Sequence, residues 1–235
     1  MSDKKNKNQK SKVNTKEVLV FFLLSLSLLS VYHINASAEE RHHGHSPFKS
    51  IDEYIQRMES PDRVEWQKPE KVVDYLSINK GDTVADIGAG SGYFTVLFSR
   101  RVGDNGKVYA VDIEKGMIEY IEKRAQKEGL NNMNYVLAKP DDPLLPKSSV
   151  DLIFICDTYH HIEKRGNYLK ILKDVLKKDG RLVIVDFHTV KTPVGPPLGM
   201  RIPKEKTVKE ILSAGFKAEA EYFFLPYQYF LVFSN

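Results

Sequence analysis

From Asp82 onward, hydrophobic and polar residues alternate in two different rhythms along the chain. Short, mainly apolar runs typical of buried strands are separated by longer stretches in which apolar positions recur three and four residues apart, as on one face of a helix. Strands separated by helices predict a doubly wound, mostly parallel α/β sheet. The predicted strands are 82–87, 107–112, 133–138, 150–156, 180–187, 217–224 and 227–233, and the predicted helices are 91–102, 114–128, 166–178 and 204–214.

The last part of this pattern differs from the rest. Only Leu225-Pro226 separates the final two predicted strands, so they are expected to form an antiparallel hairpin at the sheet edge. Lys178-Asp179-Gly180 is expected to end the long helix, because glycine commonly follows a helix C-terminus. The whole pattern therefore predicts a Rossmann-like, seven-stranded sheet with an antiparallel C-terminal hairpin.

Two amphipathic patterns precede the alternating region. They cover 51–58 and 68–76 and flank Pro61-Asp62-Arg63. We therefore predict a helical extension over residues 39–79 that caps a main domain of residues 80–235.

The first 38 residues have the features of a targeting segment. Six lysines precede an apolar stretch from Val18 to Tyr32, which is followed by Ala36-Ser37-Ala38. This order is typical of a secretory signal peptide, and residues 18–38, if uncut, are long enough for a membrane anchor. Either alternative predicts an exported or membrane-anchored protein, whereas a cytoplasmic extension is the weaker interpretation.

The charge of the chain is concentrated in that leader. Residues 1–38 hold six of the 35 Lys and Arg residues and two of the 31 Asp and Glu residues, which leaves 29 of each sign for the remainder. The folded part is therefore neutral, and composition gives no support for nucleic-acid binding.

The cysteine and histidine residues give little support for a disulfide or a metal site. Cys156 is the only cysteine, which excludes an intramolecular disulfide, and its apolar surroundings predict a small buried hydrophobe. His42, His43 and His45 adjoin the predicted cleavage site, so a solvated tail is favoured over a metal site.

A glycine-rich turn follows the first predicted strand. Glycines at 88, 90 and 92 form a G-x-G-x-G pattern, in which Gly88 and Gly90 remove side chains that would hold a ligand away and Gly92 allows close packing of helix on strand. A dinucleotide fingerprint would place its third glycine at Tyr93. Asp112, at the end of the second strand, is placed to bind a ribose, so the pattern predicts a nucleotide-like ligand other than a dinucleotide.

Four segments in order resemble the class I S-adenosylmethionine-dependent methyltransferases, of the broad group that includes the quinone-biosynthesis C-methyltransferases. VADIGAGSGYFT resembles the first motif of that family and VYAVDIEKGM the second. LPKSSVDLIFICDTYHHI resembles the central strand region, and LKKDGRLVIVDF the segment that follows the core. The resemblance covers residues 80 to 235, about two thirds of the chain, and implies S-adenosylmethionine as cofactor.

The resemblance assigns a role to each matching position around the glycine turn. The Gly88-Ala89-Gly90 backbone, with Gly92, would face the methionine part of the cofactor, and Asp86 would brace that turn. Asp112 would accept hydrogen bonds from both ribose hydroxyls, the alternative being a helix N-cap.

The residues predicted on the adenine side of the site each have an alternative interpretation or a less direct match to the family. Ile113 and Met117 would line the adenine face, although Met117 is equally consistent with a core residue. Asp141, with Asp142 close behind, would read the adenine amino group, and a plain acidic turn before Pro143 is the alternative.

Candidate acceptor-side residues follow the fourth and fifth strands. Methyl transfer from a sulfonium depends mainly on alignment, and a base is required only if the acceptor must lose a proton. His160 or His161 is the candidate base or positioning group, with Asp157 available to orient one of them, and a loop histidine is the alternative. Asp186 and His188 form a second candidate set.

The segment 192–203 contains four prolines and two glycines beside apolar residues. It predicts either a partly apolar lid over the acceptor or a structural crossover. We therefore expect an enzyme that methylates a small, partly apolar acceptor. The alternatives are an exported or anchored nucleotide-binding protein without turnover and, against the evidence of Tyr93, a nicotinamide-dependent oxidoreductase.

Overall fold

The structure is a computed structural model that describes residues 50–235. The predicted leader of residues 1–38, the predicted membrane association through residues 18–38 and the histidines at 42, 43 and 45 lie outside the described residues. In the stretch from residue 50 to the end, no helix is both long enough and apolar enough to span a membrane.

Three short helices precede an alternation of strands and helices. The first three are α1 (Ile51–Met58), α2 (Arg63–Gln67) and α3 (Pro69–Tyr75). The alternating elements are β1 (Thr83–Ile87), α4 (Tyr93–Val102), β2 (Lys107–Asp112), α5 (Lys115–Glu128), β3 (Met133–Leu137), β4 (Val150–Cys156), α6 (Arg165–Val175), β5 (Leu176–Phe187), α7 (Lys204–Ser213), β6 (Lys217–Tyr222) and β7 (Gln228–Ser234).

The seven strands form one sheet in the order β3-β2-β1-β4-β5-β7-β6. The first five are parallel, and β7 runs antiparallel to both of its neighbours. The predicted doubly wound sheet with an antiparallel C-terminal hairpin is therefore confirmed.

Two hydrophobic layers cover the two faces of the sheet, because the central strands are apolar at successive positions. Residues of α3, α4 and α5 pack on one face, and residues of α6 and α7 pack on the other. Phe98 and Phe154 are buried in the first layer, and Leu169 and Leu172 are buried in the second.

The strand order reverses between β1 and β4. From β1 the chain continues outward through β2 and β3, and it then returns to β4 on the other side of β1. At such a switch point the loops after the two strands diverge and leave a crevice at their carboxyl ends. The glycine turn after β1 and the Asp157 loop after β4 border this crevice.

The boundary between α6 and β5 differs from the prediction. The helix ends at Val175, and the next strand starts at Leu176 and continues through Gly180. Val150 pairs with Leu176 but Leu152 pairs with Arg181, so β5 bulges between these two positions. A Cβ at Gly180 would lie 3.0 Å from the Val150 carbonyl oxygen, so the glycine serves the bulge and does not cap a helix.

Helix α2 was not predicted. It begins at Arg63, inside the segment expected to separate two helices, and ends where Lys68 adopts a left-handed backbone with φ of 47°. Pro69 then occupies the first turn of α3, a position that suits proline. Five residues are too few for a helical period to emerge from the sequence.

The two sides of the switch point meet at Gly88. This residue has φ of 72°, and a Cβ there would lie 2.7 Å from Thr158 Cβ and closer still to the Thr158 Oγ1 and Cγ2 atoms. The missing side chain is therefore required both by the backbone conformation and by the loop after β4.

We expect Gly88→Ala to lower the free energy of unfolding by about 2–4 kcal/mol, because it combines left-handed strain with a steric clash. Urea unfolding measures the effect, and a second change, Thr158→Gly, should recover the part due to the clash. The control is Gly166→Ala, at a helical position with no atom within 4 Å of the new Cβ, where a neutral or slightly stabilising effect is expected. Equal losses at the two glycines would contradict this account.

Candidate active site

The glycine turn is held against the end of β2 by hydrogen bonds. The amides of Gly88 and Ala89 both donate to the Val111 carbonyl, at 2.8 and 3.0 Å. The Gly90 amide donates to Asp112 Oδ2 at 2.8 Å. Because Gly90 has φ of 55°, its N–H can point toward that carboxylate without strain. The turn and Asp112 therefore form one structural unit.

Asp112 retains hydrogen-bonding capacity for a ligand. Its Oδ1 accepts a hydrogen bond from the Glu114 amide at 2.9 Å. Asp112 is 8% exposed. Each oxygen thus takes one backbone N–H and keeps a free lone pair, which fits two ribose hydroxyl donors. The N-cap of α5 is Glu114, so the alternative role of Asp112 as a helix N-cap is not what the structure shows.

Asp86 braces the turn from inside the fold. Its Oδ2 accepts a 2.6 Å hydrogen bond from Thr95 Oγ1 in the first turns of α4. Burial raises the pKa of Asp86 to about 7, and the Thr95 hydrogen bond opposes that shift. The carboxylate therefore ties the end of β1 to the helix after the turn.

Gly92 makes a different close contact from the one predicted. We expected it to let α4 approach its own strand, but a Cβ at Gly92 would lie 3.1 Å from Ile121 of α5. Its φ of 76° is also left-handed. The glycine therefore brings two neighbouring helices together beside the turn.

The adenine-side candidates lie in contrasting surroundings. Ile113 is 54% exposed next to Asp112, whereas Met117 is 2% exposed, as expected of a core residue. Asp141 is exposed in a tight turn, and Asp142 Oδ1 accepts the Leu144 amide at 2.8 Å. The acidic turn is therefore the role that the geometry shows for Asp142, and the adenine role of Asp141 stays a prediction.

Asp157 lies in the loop after β4 in a strained backbone conformation, with φ of 53°. Two amide side chains hold its carboxylate: Gln67 Nε2 donates to Oδ2 at 3.1 Å and Gln228 Nε2 donates to Oδ1 at 2.6 Å. Burial, followed by the negative charge of Asp186, raises the pKa of Asp157 to about 6. This carboxylate is thus committed to two glutamines.

His160 is oriented by Asp186 and not by Asp157, which corrects the expectation drawn from their closeness in sequence. His160 Nδ1 lies 3.0 and 2.9 Å from the two Asp186 oxygens, and the His160 amide also donates to Asp186. The side chains are 2% and 0% exposed. The strand register explains the pairing, since the Asp157 amide bonds to the Val185 carbonyl and brings Asp186 alongside the loop.

The other two candidate histidines are outside this pair. The His161 ring lies 4.1 Å from that of His160, and burial, followed by His160, lowers the pKa of His161. His188 packs against the ring of Tyr229 at 5.8 Å, so the second candidate set does not assemble around Asp186.

Sequence reasoning predicted that the helical extension caps the main domain, but it identified none of the residues that the extension places at the site. The Met58 sulfur would be 2.7 Å from a Cβ at Gly90, and the Arg63 guanidinium lies 4.2 Å from the ring centroid of Tyr93. Tyr54 is partly buried, and burial, followed by Asp112, raises its pKa. The amphipathic pattern over 51–58 predicted helix α1 but not which of its residues lie at the glycine turn, and α2 is too short to show a helical period.

The proline-rich crossover is organised around one arginine. Arg201 is almost fully buried, and its guanidinium donates to five oxygens of the segment. The acceptors are the carbonyl oxygens of Pro196, His188, Val190 and Val194 and the hydroxyl of Thr192. This ordered crossover exposes the side chains of Val190, Leu198 and Met200.

Comparison with known proteins identifies the family. The sequence model of a family described as a methyltransferase domain matches residues 78–221, which is more than half of the chain. The chain belongs to this methyltransferase domain family. The predicted resemblance to class I S-adenosylmethionine-dependent methyltransferases is confirmed, and it makes S-adenosylmethionine the cofactor.

Individual relatives agree with this family. The ubiquinone/menaquinone biosynthesis C-methyltransferase UbiE of Escherichia fergusonii is 31% identical over 127 residues, which cover 54% of this chain and 49% of that protein. The chain thus spans about half the length of the curated relatives it matches.

Solved structures agree as well. A SAM-dependent methyltransferase from Aquifex aeolicus is 28% identical with a TM-score of 0.75, covering 79% of this chain and 98% of the other. A type 11 methyltransferase described as putative, from Sulfolobus solfataricus, has a TM-score of 0.60 at 23% identity, over 70% and 90% of the two chains, and supports the fold alone.

Replacing Asp112 tests the cofactor side of the site. Asp112→Ala removes both ribose acceptors and the brace on Gly90, so affinity for S-adenosylhomocysteine should fall at least about 100-fold. Isothermal titration calorimetry measures the affinity, with Asp104→Ala in an exposed turn as the control. An unchanged affinity in a folded Asp112→Ala protein would refute the assignment.

The buried carboxyl of Asp86 predicts a pH dependence of stability. Its pKa of about 7 in the folded state exceeds the ordinary aspartate pKa of 3.8, so the folded state binds more protons than the unfolded state between these pH values. The free energy of unfolding should therefore fall as pH rises from about 4 to 7. Asp86→Asn should remove roughly 2–4 kcal/mol of this fall, measured by urea unfolding at several pH values.

The control for that pH series is Asp179→Asn, an exposed position in the bulge of β5. This control should keep the slope of the parent protein. If Asp86→Asn kept the same slope as well, the carboxyl of Asp86 would not be its source.

Proposed function

We propose that this protein transfers a methyl group from S-adenosylmethionine to a small, partly apolar acceptor that loses a proton. One observation carries the proposal: the glycine turn with Asp112 and the buried His160–Asp186 pair border the same switch point of the sheet. A cofactor-binding half and a proton-accepting half are thus placed beside one another, as methyl transfer to a protonated acceptor requires.

The cofactor half fits S-adenosylmethionine. Asp112 offers two acceptor oxygens held in place by backbone amides, and the turn from Gly88 to Gly90 presents backbone without side chains. When bound, S-adenosylmethionine supplies a methyl group on a positively charged sulfur. The role of the protein is then to hold that methyl in line with the acceptor and to keep water away.

The acceptor half centres on His160. A carboxylate can only accept hydrogen bonds, so Asp186 favours the tautomer with the proton on His160 Nδ1. That leaves Nε2 as the nitrogen able to take a proton from an acceptor. Since both side chains are almost completely buried, Asp186 holds the imidazole in a fixed orientation.

The side chains near the end of β5 are largely aromatic or aliphatic, which favours an apolar acceptor. The ring of Trp66 lies 5.6 Å from that of Phe187, at the end of β5, and 6.3 Å from that of Tyr227. The ordered crossover after β5 exposes further apolar side chains near this strand end. The name of the UbiE relative, a quinone-biosynthesis C-methyltransferase, is consistent with an apolar ring as acceptor.

A binding protein without turnover is the alternative that the leader suggests, since S-adenosylmethionine is made in the cytosol. The comparisons with methyltransferases give that alternative no support. Export or membrane anchoring through residues 18–38 stays a prediction, and N-terminal sequencing of the mature protein tests it.

The full chain should transfer labelled methyl from S-adenosylmethionine to members of a panel of small apolar phenols, hydroquinones and amines. His160→Gln should lower kcat by about 100-fold or more for acceptors that must lose a proton, and leave S-adenosylhomocysteine affinity unchanged. His188→Gln is the control, because that ring packs on Tyr229 away from Asp186.

Two outcomes would count against the proposal. Tight cofactor binding without turnover across the panel would favour the binding protein. Equal activity of His160→Gln and the parent on phenols would remove His160 from proton transfer.

A further inference from the structure

Arg63 is a fixed cation beside the glycine turn. Its guanidinium lies over the ring of Tyr93, the first residue of α4, at 4.2 Å from the centroid. Nη1 donates to the Met58 carbonyl at 2.6 Å, and Nε donates to Gln67 Oε1. Met58 in turn contacts the turn at Gly90. These contacts fix the position of the Arg63 side chain against the start of α4.

The charge of Arg63 has no direct counter-ion in the described part of the chain. Its two hydrogen-bond partners there are a carbonyl and an amide oxygen, both neutral, so three of its five N–H groups have no acceptor among residues 50–235. Arg124, the other arginine near the turn, contrasts with it, since it forms ion pairs with Glu59 and Glu128.

The surroundings of Arg63 are acidic. Its positive charge lowers the pKa of both Asp86 and Asp157, although burial raises each of them more strongly. Asp112 adds a third carboxylate at the same edge of the sheet. Three carboxylates would repel a negatively charged ligand group, and an unpaired arginine among them compensates for that repulsion.

We infer that Arg63 binds the carboxylate of the aminoacyl tail of S-adenosylmethionine, an inference that rests on the proposed function. The guanidinium presents parallel N–H donors in a fixed plane, which match a carboxylate with two hydrogen bonds. The resemblance to the family implies that the methionine part of the cofactor would face the Gly88–Gly90 backbone, close to Tyr93 in sequence. Stacking on Tyr93 and the bond to Met58 set the direction of the donors before the cofactor arrives.

Arg63 lies in the helical extension, so the inference gives that extension a role in cofactor binding. Arg63 precedes the region of residues 78–221 that matches the methyltransferase domain family. The same extension places Met58 against Gly90 and Gln67 against Asp157. Cofactor affinity therefore depends on a segment outside the matched domain.

The test compares ligands that differ by one carboxylate. Full-length protein is titrated by calorimetry with S-adenosylhomocysteine and with its decarboxylated form, which keeps the adenosine, thioether and amine. Arg63→Met should weaken S-adenosylhomocysteine binding about 10- to 100-fold and leave the decarboxylated ligand within about threefold. Arg63→Lys, which keeps the charge without the planar fork, should give an intermediate loss.

Arg101→Met is the matched control, because that arginine forms a partly exposed ion pair with Asp74 away from the turn. It should leave both affinities unchanged. Equal weakening of both ligands by Arg63→Met would show that the arginine only supports the extension, and unchanged affinity for both would remove it from the site. Parent protein that binds neither S-adenosylmethionine nor S-adenosylhomocysteine would overturn the proposed function itself.

Discussion

The hydrogen bond from the Gly90 amide to the Asp112 carboxylate is the contact on which the site depends. It joins the turn after β1 to the end of β2, while the neighbouring amides of the turn bond to the last carbonyl before Asp112. Burial raises the pKa of Asp112, and the backbone amides of Glu114 and Gly90 oppose that shift by stabilising the charged form. The same amides therefore shape the turn and oppose the effect of burial on its acid, so the positions of the two carboxyl oxygens are set by the backbone before a ligand binds.

Four carboxylates lie at one edge of the sheet, and each is stabilised in a different way. A hydroxyl bonds to Asp86, backbone amides to Asp112, two glutamine amides to Asp157 and an imidazole to Asp186. Direct pairing with fixed cations is absent from this set within residues 50–235. Such an edge attracts positive charge, which suits a sulfonium cofactor. A single cation from the helical extension therefore changes the net charge of this edge by a large fraction.

The sequence pattern was sufficient for the sheet, the glycine turn and the Asp112 position, because each is local or periodic. The pattern failed where one signal fits two structures. Gly180 fits a helix cap in the sequence, but in the structure it lies in the bulge of β5. The His160–Asp186 pair joins residues 26 positions apart, and only the register of β4 against β5 brings them together. Likewise, α2 is too short for periodicity, so Gln67 gave no sign of its contact with Asp157.

The crossover between β5 and α7 is held by one residue, whereas other residues form its exposed surface. One side chain, Arg201, satisfies the carbonyl oxygens of the loop, so the backbone path is fixed from within. The apolar side chains that the loop exposes, including Leu198 and Met200, take little part in holding that path. Substitutions at these exposed positions can therefore change the apolar surface of the loop while its backbone keeps the same path.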